Sequence, residues 1–243
     1  MVRSSSPAAD VPFVILAGGL GTRMFPHTET CPKLLLPVAG EPFAAHQLRW
    51  LADEGVRQVV IATGHLGSMI EEYVGDGSRF GVAVSYAPDG PTLLGTGGAV
   101  RNAVVGHGLG GTVGVLYGDS YLSVDIDAVV AAYRASGLPA LMVVYRNRGA
   151  FDRSNAAFDG RLVRYDKHRD GNDPSFELID YGLSVFDAGV LTALPPDGPV
   201  DIAEVQATLS RAGQLAGFEA TERFYEIGSP EGLAALEAAL AAR

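Results

Sequence analysis

The chain has 243 residues, 47% of them apolar, and carries a formal net charge of −10. That length and apolar content suffice for one α/β domain with a sizeable core, and they exclude a disordered chain. The acidic balance excludes a nucleic-acid partner, which would need a basic face, and no run approaches the ~18 apolar residues of a membrane span.

Residues 1–10, MVRSSSPAAD, are small and polar and lack the apolar stretch of a secretory signal. They are expected to be a disordered tail, with residues 11–243 forming a single domain. Cys31 stands alone and cannot form an internal disulfide, which points to the cytoplasm. Residues 11–17 form an apolar run that reads as a buried strand. It empties into Gly18, Gly19 and Gly21, a loop whose backbone can approach a ligand because no Cβ intervenes. Arg23 sits in this loop, and Lys33 follows before the next apolar run, 34–38. Amides, a guanidinium and an ammonium gathered in this way suit a polyphosphate. The generic phosphate motifs fail on detail. A dinucleotide fingerprint needs a glycine where Met24 stands, and Gly21-Thr22-Arg23 does not end a Walker A loop.

Further along, residues 41–54 have helical spacing closed by Gly55, residues 58–63 and 82–87 read as strands, and 66–74 reads as a helix. His65, between strand and helix, suits a substrate contact or a loop hydrogen bond equally. The run Leu94-Gly95-Thr96-Gly97-Gly98-Ala99 delivers small residues to a helix N-terminus, which suits a flat ring or an anion. Residues 112–117 are another apolar strand ending in Gly118-Asp119, and a carboxylate there is where open α/β sheets bind ligands. Taken alone, Asp119 could also cap the next turn. A helix over 125–136 and a strand over 138–145 follow. The β-α alternation predicts a parallel sheet with helices on its faces. Beyond Arg146 short β-like pieces alternate with turns: 156–158, a hairpin signal at Asp159-Gly160, 162–165 and 180–186. Helices over 201–212 and 231–242 close the chain.

The two halves of the first loop, Gly19-Leu20-Gly21-Thr22-Arg23 and Pro32-Lys33-Leu34-Leu35-Leu36-Pro37, resemble the G-x-G-T-R and P-K-x-x-x-P signature of the sugar-1-phosphate nucleotidyltransferases. Further segments are similar to that family's in the same order. The L-G-T-G-G-A run resembles the part holding the nucleobase, and Gly118-Asp119 resembles the G-D motif that binds metal. Tyr165-Asp166-Lys167 resembles the E-K pair that contacts the sugar phosphate. Glu226-Ile227-Gly228-Ser229-Pro230-Glu231 resembles D-x-G-T-P-E, the source of a second metal carboxylate, with Glu and Ser as departures. Read without the family, Lys167 suits a solvated surface and Glu226 a pair with Arg223.

The resemblance implies a GT-A-like α/β fold: a Rossmann-like open mixed sheet, mostly parallel, with helices on both faces and a small β-rich sugar-binding part. Residues 11–145 would bind the nucleotide and 146–243 the sugar. It implies NTP plus sugar 1-phosphate giving NDP-sugar plus pyrophosphate, with Mg²⁺ as cofactor. The expected nucleotide contacts are Leu16, Ala17, Gly18, Gly19, Gly21, Thr22, Arg23, Gly95 and Thr96. Those for the sugar phosphate are Lys167, Asp180 and Gly182. Arg23, Lys33 and Asp119 would be catalytic, and Asp119 with Glu226 would hold the metal. GTP with a heptose or hexose 1-phosphate is the favoured pair. The alternatives are a UTP-, CTP- or ATP-using relative and a non-catalytic nucleotide-sugar-binding regulator. A monomer or small homo-oligomer is expected.

Overall fold

The computed structural model describes residues 6–90, 92–147, 153–168 and 173–241. Residues 1–5 of the expected tail, Pro91, and Ala242 at the expected end of the last helix lie outside them. The rest of that tail is not frayed. Pro7–Asp10 forms a 3₁₀ turn with Ala8 fully buried. The Asp127 carboxylate accepts from the Ser6 hydroxyl at 2.6 Å and from the Ala8 amide at 2.8 Å. A distant carboxylate supplies the order that local composition does not suggest.

The chain opens with β1 (Phe13–Ala17), the short α1 (His27–Thr30), the two-residue strands β2 (Pro37–Val38) and β3 (Glu41–Pro42), and α2 (Phe43–Asp53). β4 (Gln58–Thr63), α3 (Gly67–Val74), β5 (Ala83–Pro88), α4 (Gly95–Gly106) and β6 (Thr112–Tyr117) continue the alternation. β7 (Ser120–Tyr121) precedes α5 (Ile126–Ser136) and β8 (Ala140–Arg146). β9 (Ala156–Phe158), β10 (Val163–Tyr165), the long β11 (Leu178–Asp187), α6 (Ala188–Thr192) and α7 (Ile202–Arg211) follow. The described chain then closes with β12 (Leu215–Ala220), β13 (Tyr225–Glu226) and α8 (Pro230–Ala241).

β1 lies between β4 and β6, with β5 beyond β4, and all four run parallel. β11 is antiparallel to β6 and carries the sheet onward to β9 and β10. It also pairs antiparallel with β8, and β12 runs parallel to β8. The later strands therefore extend the first sheet, giving the open mixed architecture expected. Side chains alternate across it. Phe13, Ile15, Val59 and Ile61 pack under α2, α3, α5 and α8, whereas Val14, Val60 and Ala62 face α4, α6 and α7. Because both faces are covered, the central strands read as continuous apolar runs.

Local chemistry sets several boundaries. Asp125 caps α5 by accepting from the Ala128 amide, and Gly137 ends it at φ 64°. Asp201 caps α7 through the Ala203 amide. α2 starts two residues later than expected because Glu41–Pro42 pairs with β2. The first turn of α4 is built from glycines because Val200 lies against it. A Cβ on Gly95 would come within 2.5 Å of the Val200 carbonyl oxygen, and that carbonyl accepts from the Gly97 amide at 2.7 Å. β12 was not expected. Its sequence, LAGFEA, has little β character, and Gly217 is required where a Cβ would meet the Phe158 ring at 2.3 Å.

Candidate active site

The ends of β1 and β6 meet closely. The Gly118 amide donates to the Leu16 carbonyl at 3.0 Å, and a Cβ on Gly118 would lie 2.4 Å from that oxygen. Only glycine permits this approach, which sets Asp119 beside the first glycine loop. That loop turns at Gly21, φ 64°, where Thr28 donates to its carbonyl at 2.8 Å. A 3₁₀ turn over Thr22–Met24 then buries Met24 and leaves Arg23 outward. A second 3₁₀ turn, Lys33–Leu35, buries Leu34 and directs Lys33 inward. Its ammonium stands 2.9 Å from Asp119 Oδ2, with each side chain about one-fifth exposed (19% and 23%).

The third arm arrives from the far end of the sequence. Glu226 pairs with Ser120 in the β13–β7 ladder, and the Ile227 amide donates to the Asp119 carbonyl at 2.9 Å. Gly228 follows, where a Cβ would lie 3.2 Å from Arg23 Nη2 and 3.6 Å from Asp119 Oδ2. Arg23 and Asp119 thus reach over one side-chain-free position.

These groups line a cavity of about 400 Å³. Its walls include Leu16, Ala17, Gly18, Gly19 and Gly21 from β1 and its loop, and Gly95 and Thr96 from α4. Arg23, Lys33, Asp119 and Glu226 also line it. Of the expected nucleotide contacts only Thr22 is outside this lining; its side chain faces solvent.

A second cavity of about 370 Å³ shares Thr96, Tyr117 and Glu226 with the first. Lys167 and Asp180 line it, together with Arg153, Asn155, Tyr165 and Asp201. Gly182 lines neither cavity. At φ 91° it marks the bulge in β11, and its Cα faces Ser120 and the Tyr117 ring from beneath. Its missing side chain makes room for Ser120 and the Tyr117 ring. Burial pushes the Asp180 carboxyl up to about 6, partly offset by the Gly182 amide at 2.9 Å, the Tyr117 hydroxyl at 3.2 Å and the Lys167 charge. Burial raises the Tyr117 hydroxyl as well, helped by the neighbouring Asp180 charge.

Tyr117 and Asp201 were not expected at the site. Tyr117 is the last residue of a predicted strand, and Asp201 is the first residue of a predicted helix. Asp201 also accepts from Lys167 Nζ at 2.5 Å and from the Thr96 hydroxyl at 3.0 Å. Burial works against its charge, but Lys167, the Ala203 amide and Thr96 outweigh it and hold the carboxyl below its usual range. Asp201 therefore ties a wall of the first cavity to the cation of the second.

Among the described residues, no three His, Cys, Asp or Glu side chains gather as a metal cage. Three carboxylates, Asp89, Asp119 and Glu226, line the first cavity, and the last two are tied together by the Ile227 amide on the Asp119 carbonyl. The Lys33 ammonium beside Asp119 marks a place where positive charge is favoured. This donor set fits a hard divalent cation that takes its other ligands from phosphate and water, and it does not fit one held by protein alone.

Residues 13–150 match the family model described as Nucleotidyl transferase, more than half of the chain. The chain belongs to that family. A mannose-1-phosphate guanylyltransferase of Mycobacterium tuberculosis is 30% identical over 223 residues, 90% of this chain and 61% of that protein. An N-acetylmuramate alpha-1-phosphate uridylyltransferase of Neisseria meningitidis is 41% identical over 126 residues, 52% of this chain and 53% of that protein. The chain thus spans little more than half the length of these curated family members. The fold is shared with the solved structure of HddC from Yersinia pseudotuberculosis complexed with GMP-PN. There the TM-score is 0.75 at 20% identity, covering 95% of this chain and 99% of that one. Among the described residues, no helix is long and apolar enough to cross a membrane.

Proposed function

We propose that this chain is a Mg²⁺-dependent sugar-1-phosphate nucleotidyltransferase that joins NTP and a sugar 1-phosphate into NDP-sugar and releases pyrophosphate. One observation carries the reading: Arg23, Lys33 and Asp119 converge at one cavity, and a second cavity holding Lys167 opens beside it through Thr96, Tyr117 and Glu226. A sugar-phosphate oxygen attacks the α-phosphorus of NTP, the bond from that phosphorus to the bridging oxygen breaks, and pyrophosphate leaves. The nucleophile is already an anion, so no strong general base is needed. The obstacle is repulsion between two polyanions, and positioning with charge neutralisation answers it.

In this reading Arg23 meets the departing β- and γ-phosphates, Lys33 the α-phosphate or the pyrophosphate, and Lys167 the incoming sugar phosphate. Asp119 and Glu226 would hold Mg²⁺, which neutralises phosphate charge when bound. Glycines 18, 19, 21 and 95 bring backbone against the nucleotide, and Leu16, Ala17 and Thr96 complete its surroundings. Asp180 sits among the groups lining the sugar side. GTP with a heptose or hexose 1-phosphate is the proposed pair, and the guanylyltransferase among the relatives is consistent with it.

Pyrophosphate release should be measured with five NTPs, Mg²⁺ and a panel of sugar 1-phosphates. Release that requires both an NTP and one sugar 1-phosphate is expected. No release in any combination would overturn the assignment.

A further inference from the structure

α2 turns one polar side chain into the core. Phe43, Ala44, Gln47, Leu48 and Leu51 stand at helical spacing, and none of the five is more than 1% exposed. The Gln47 carboxamide nitrogen donates to the Tyr117 carbonyl at 3.0 Å and to the Ser120 carbonyl at 2.9 Å. Both partners only accept, so the nitrogen and not the oxygen must face them. These two carbonyls bracket Gly118-Asp119. One side chain from α2 thus closes the turn that carries the Asp119 carboxylate. Gln47 Oε1 is shielded from solvent and, among the described residues, has no hydrogen-bond partner. An unmet buried acceptor costs stability, and methionine would fill the same space without it. What glutamine adds at this position is its two N–H donors.

The same helix supports the cation opposite. The Phe43 amide donates to the Leu36 carbonyl at 3.0 Å, directly after the Lys33–Leu35 turn, and Leu34, Leu36 and Phe43 share one core. Lys33 and Asp119, 2.9 Å apart, therefore stand on a common base.

We propose that Gln47 is a positioning residue that acts through Asp119: it pins the carbonyls on either side of the Gly118-Asp119 turn and so fixes where that carboxylate stands relative to Lys33. This rests on the nucleotidyltransferase reading above and adds to that site a group which lines neither cavity. The other ties of the turn are the Gly118 amide on the Leu16 carbonyl at 3.0 Å and the Ile227 amide on the Asp119 carbonyl at 2.9 Å. Without Gln47 the flanking carbonyls lose their side-chain donor and the turn can rotate about these two bonds. A shift of about 1 Å at a reacting centre is enough to cost roughly 10²-fold in rate.

The test compares the native chain with Gln47→Met, which keeps the volume and removes both donors, and with Leu48→Val, which trims the same buried face without touching the turn. Hydrogen exchange on the ligand-free chains comes first. In Gln47→Met the Gly118 and Ile227 amides should exchange roughly 10-fold faster, the weight of two neutral hydrogen bonds, while the amides of β1 and β4 keep their native rates. Kinetics then use the NTP and sugar 1-phosphate that release pyrophosphate. Gln47→Met should lower kcat by roughly 10–100-fold, raise the Mg²⁺ concentration giving half-maximal rate, and leave KM for the NTP within about threefold. Leu48→Val should leave all of these near native. Native exchange at Gly118 and Ile227 in Gln47→Met, or an equal loss of kcat in Leu48→Val, would overturn the role of Gln47 while leaving the reaction class standing. If no pair of substrates releases pyrophosphate, the reaction class fails, and the exchange rates still decide whether Gln47 holds the turn.

Discussion

Asp180 should make the protein less stable than it could be, in a pH-dependent way. Burial lifts its carboxyl from 3.8 to about 6, roughly two pH units, and at about 1.4 kcal/mol per unit the cost of the charged form is about 3 kcal/mol. The folded state binds the proton more tightly than the unfolded chain does. Between pH 3.8 and about 6 it therefore holds more protons, and stability falls as pH rises through that window. Above it the full cost is present, and below it none is. Asp180→Asn is nearly isosteric: its oxygen still accepts from Gly182, and its amino group can donate to the Tyr117 hydroxyl. The variant should gain about 3 kcal/mol at pH 8, or roughly 5–10 °C in Tm for a chain of this size, and should match the native chain at pH 4. Urea and thermal unfolding across pH 4–8 measure this directly. A gap that is the same at both ends, or a variant less stable at pH 8, would refute the reasoning. The gain should come with weaker use of sugar 1-phosphate, since a residue kept at such a cost next to Lys167 is expected to serve binding.

Asp119→Asn should lower pyrophosphate release by about 10²–10³-fold with little change in melting temperature, and chelation of Mg²⁺ should abolish release in the native chain. Gly228→Ala sets a methyl 3.2 Å from Arg23 Nη2 and should cut turnover while leaving urea unfolding unchanged. Asp201→Ala should cost about 1 kcal/mol by removing the cap of α7, and Asp201→Asn should restore stability in the same unfolding assay without restoring the ion pair to Lys167. Gly182→Ala should destabilise by about 1–3 kcal/mol, because the backbone is left-handed there and the methyl meets Ser120; thermal unfolding checks it.

The glycine loop, Arg23, Lys33 and the Gly118-Asp119 pair were legible in the sequence because each chemical requirement is met by residues close together along the chain. The continuous apolar runs of the central strands were legible for the same reason, since two buried faces leave no polar alternation. Tyr117, Asp201 and Asp89 were not legible as site residues. Each has an ordinary local reading (strand end, helix start, turn), and only the packing of α4 against Val200 and of β13 against β7 brings the surrounding walls together. The same holds for residues 6–10, ordered by a carboxylate on α5, and for β12, whose strand character comes from its partner β8. Sequence alone determined which groups could hold phosphate, because backbone freedom and fixed charge are properties of individual residues. The tertiary structure decided which of them share a cavity and which carboxylates lose their water, because desolvation and distance depend on chain segments far apart in sequence.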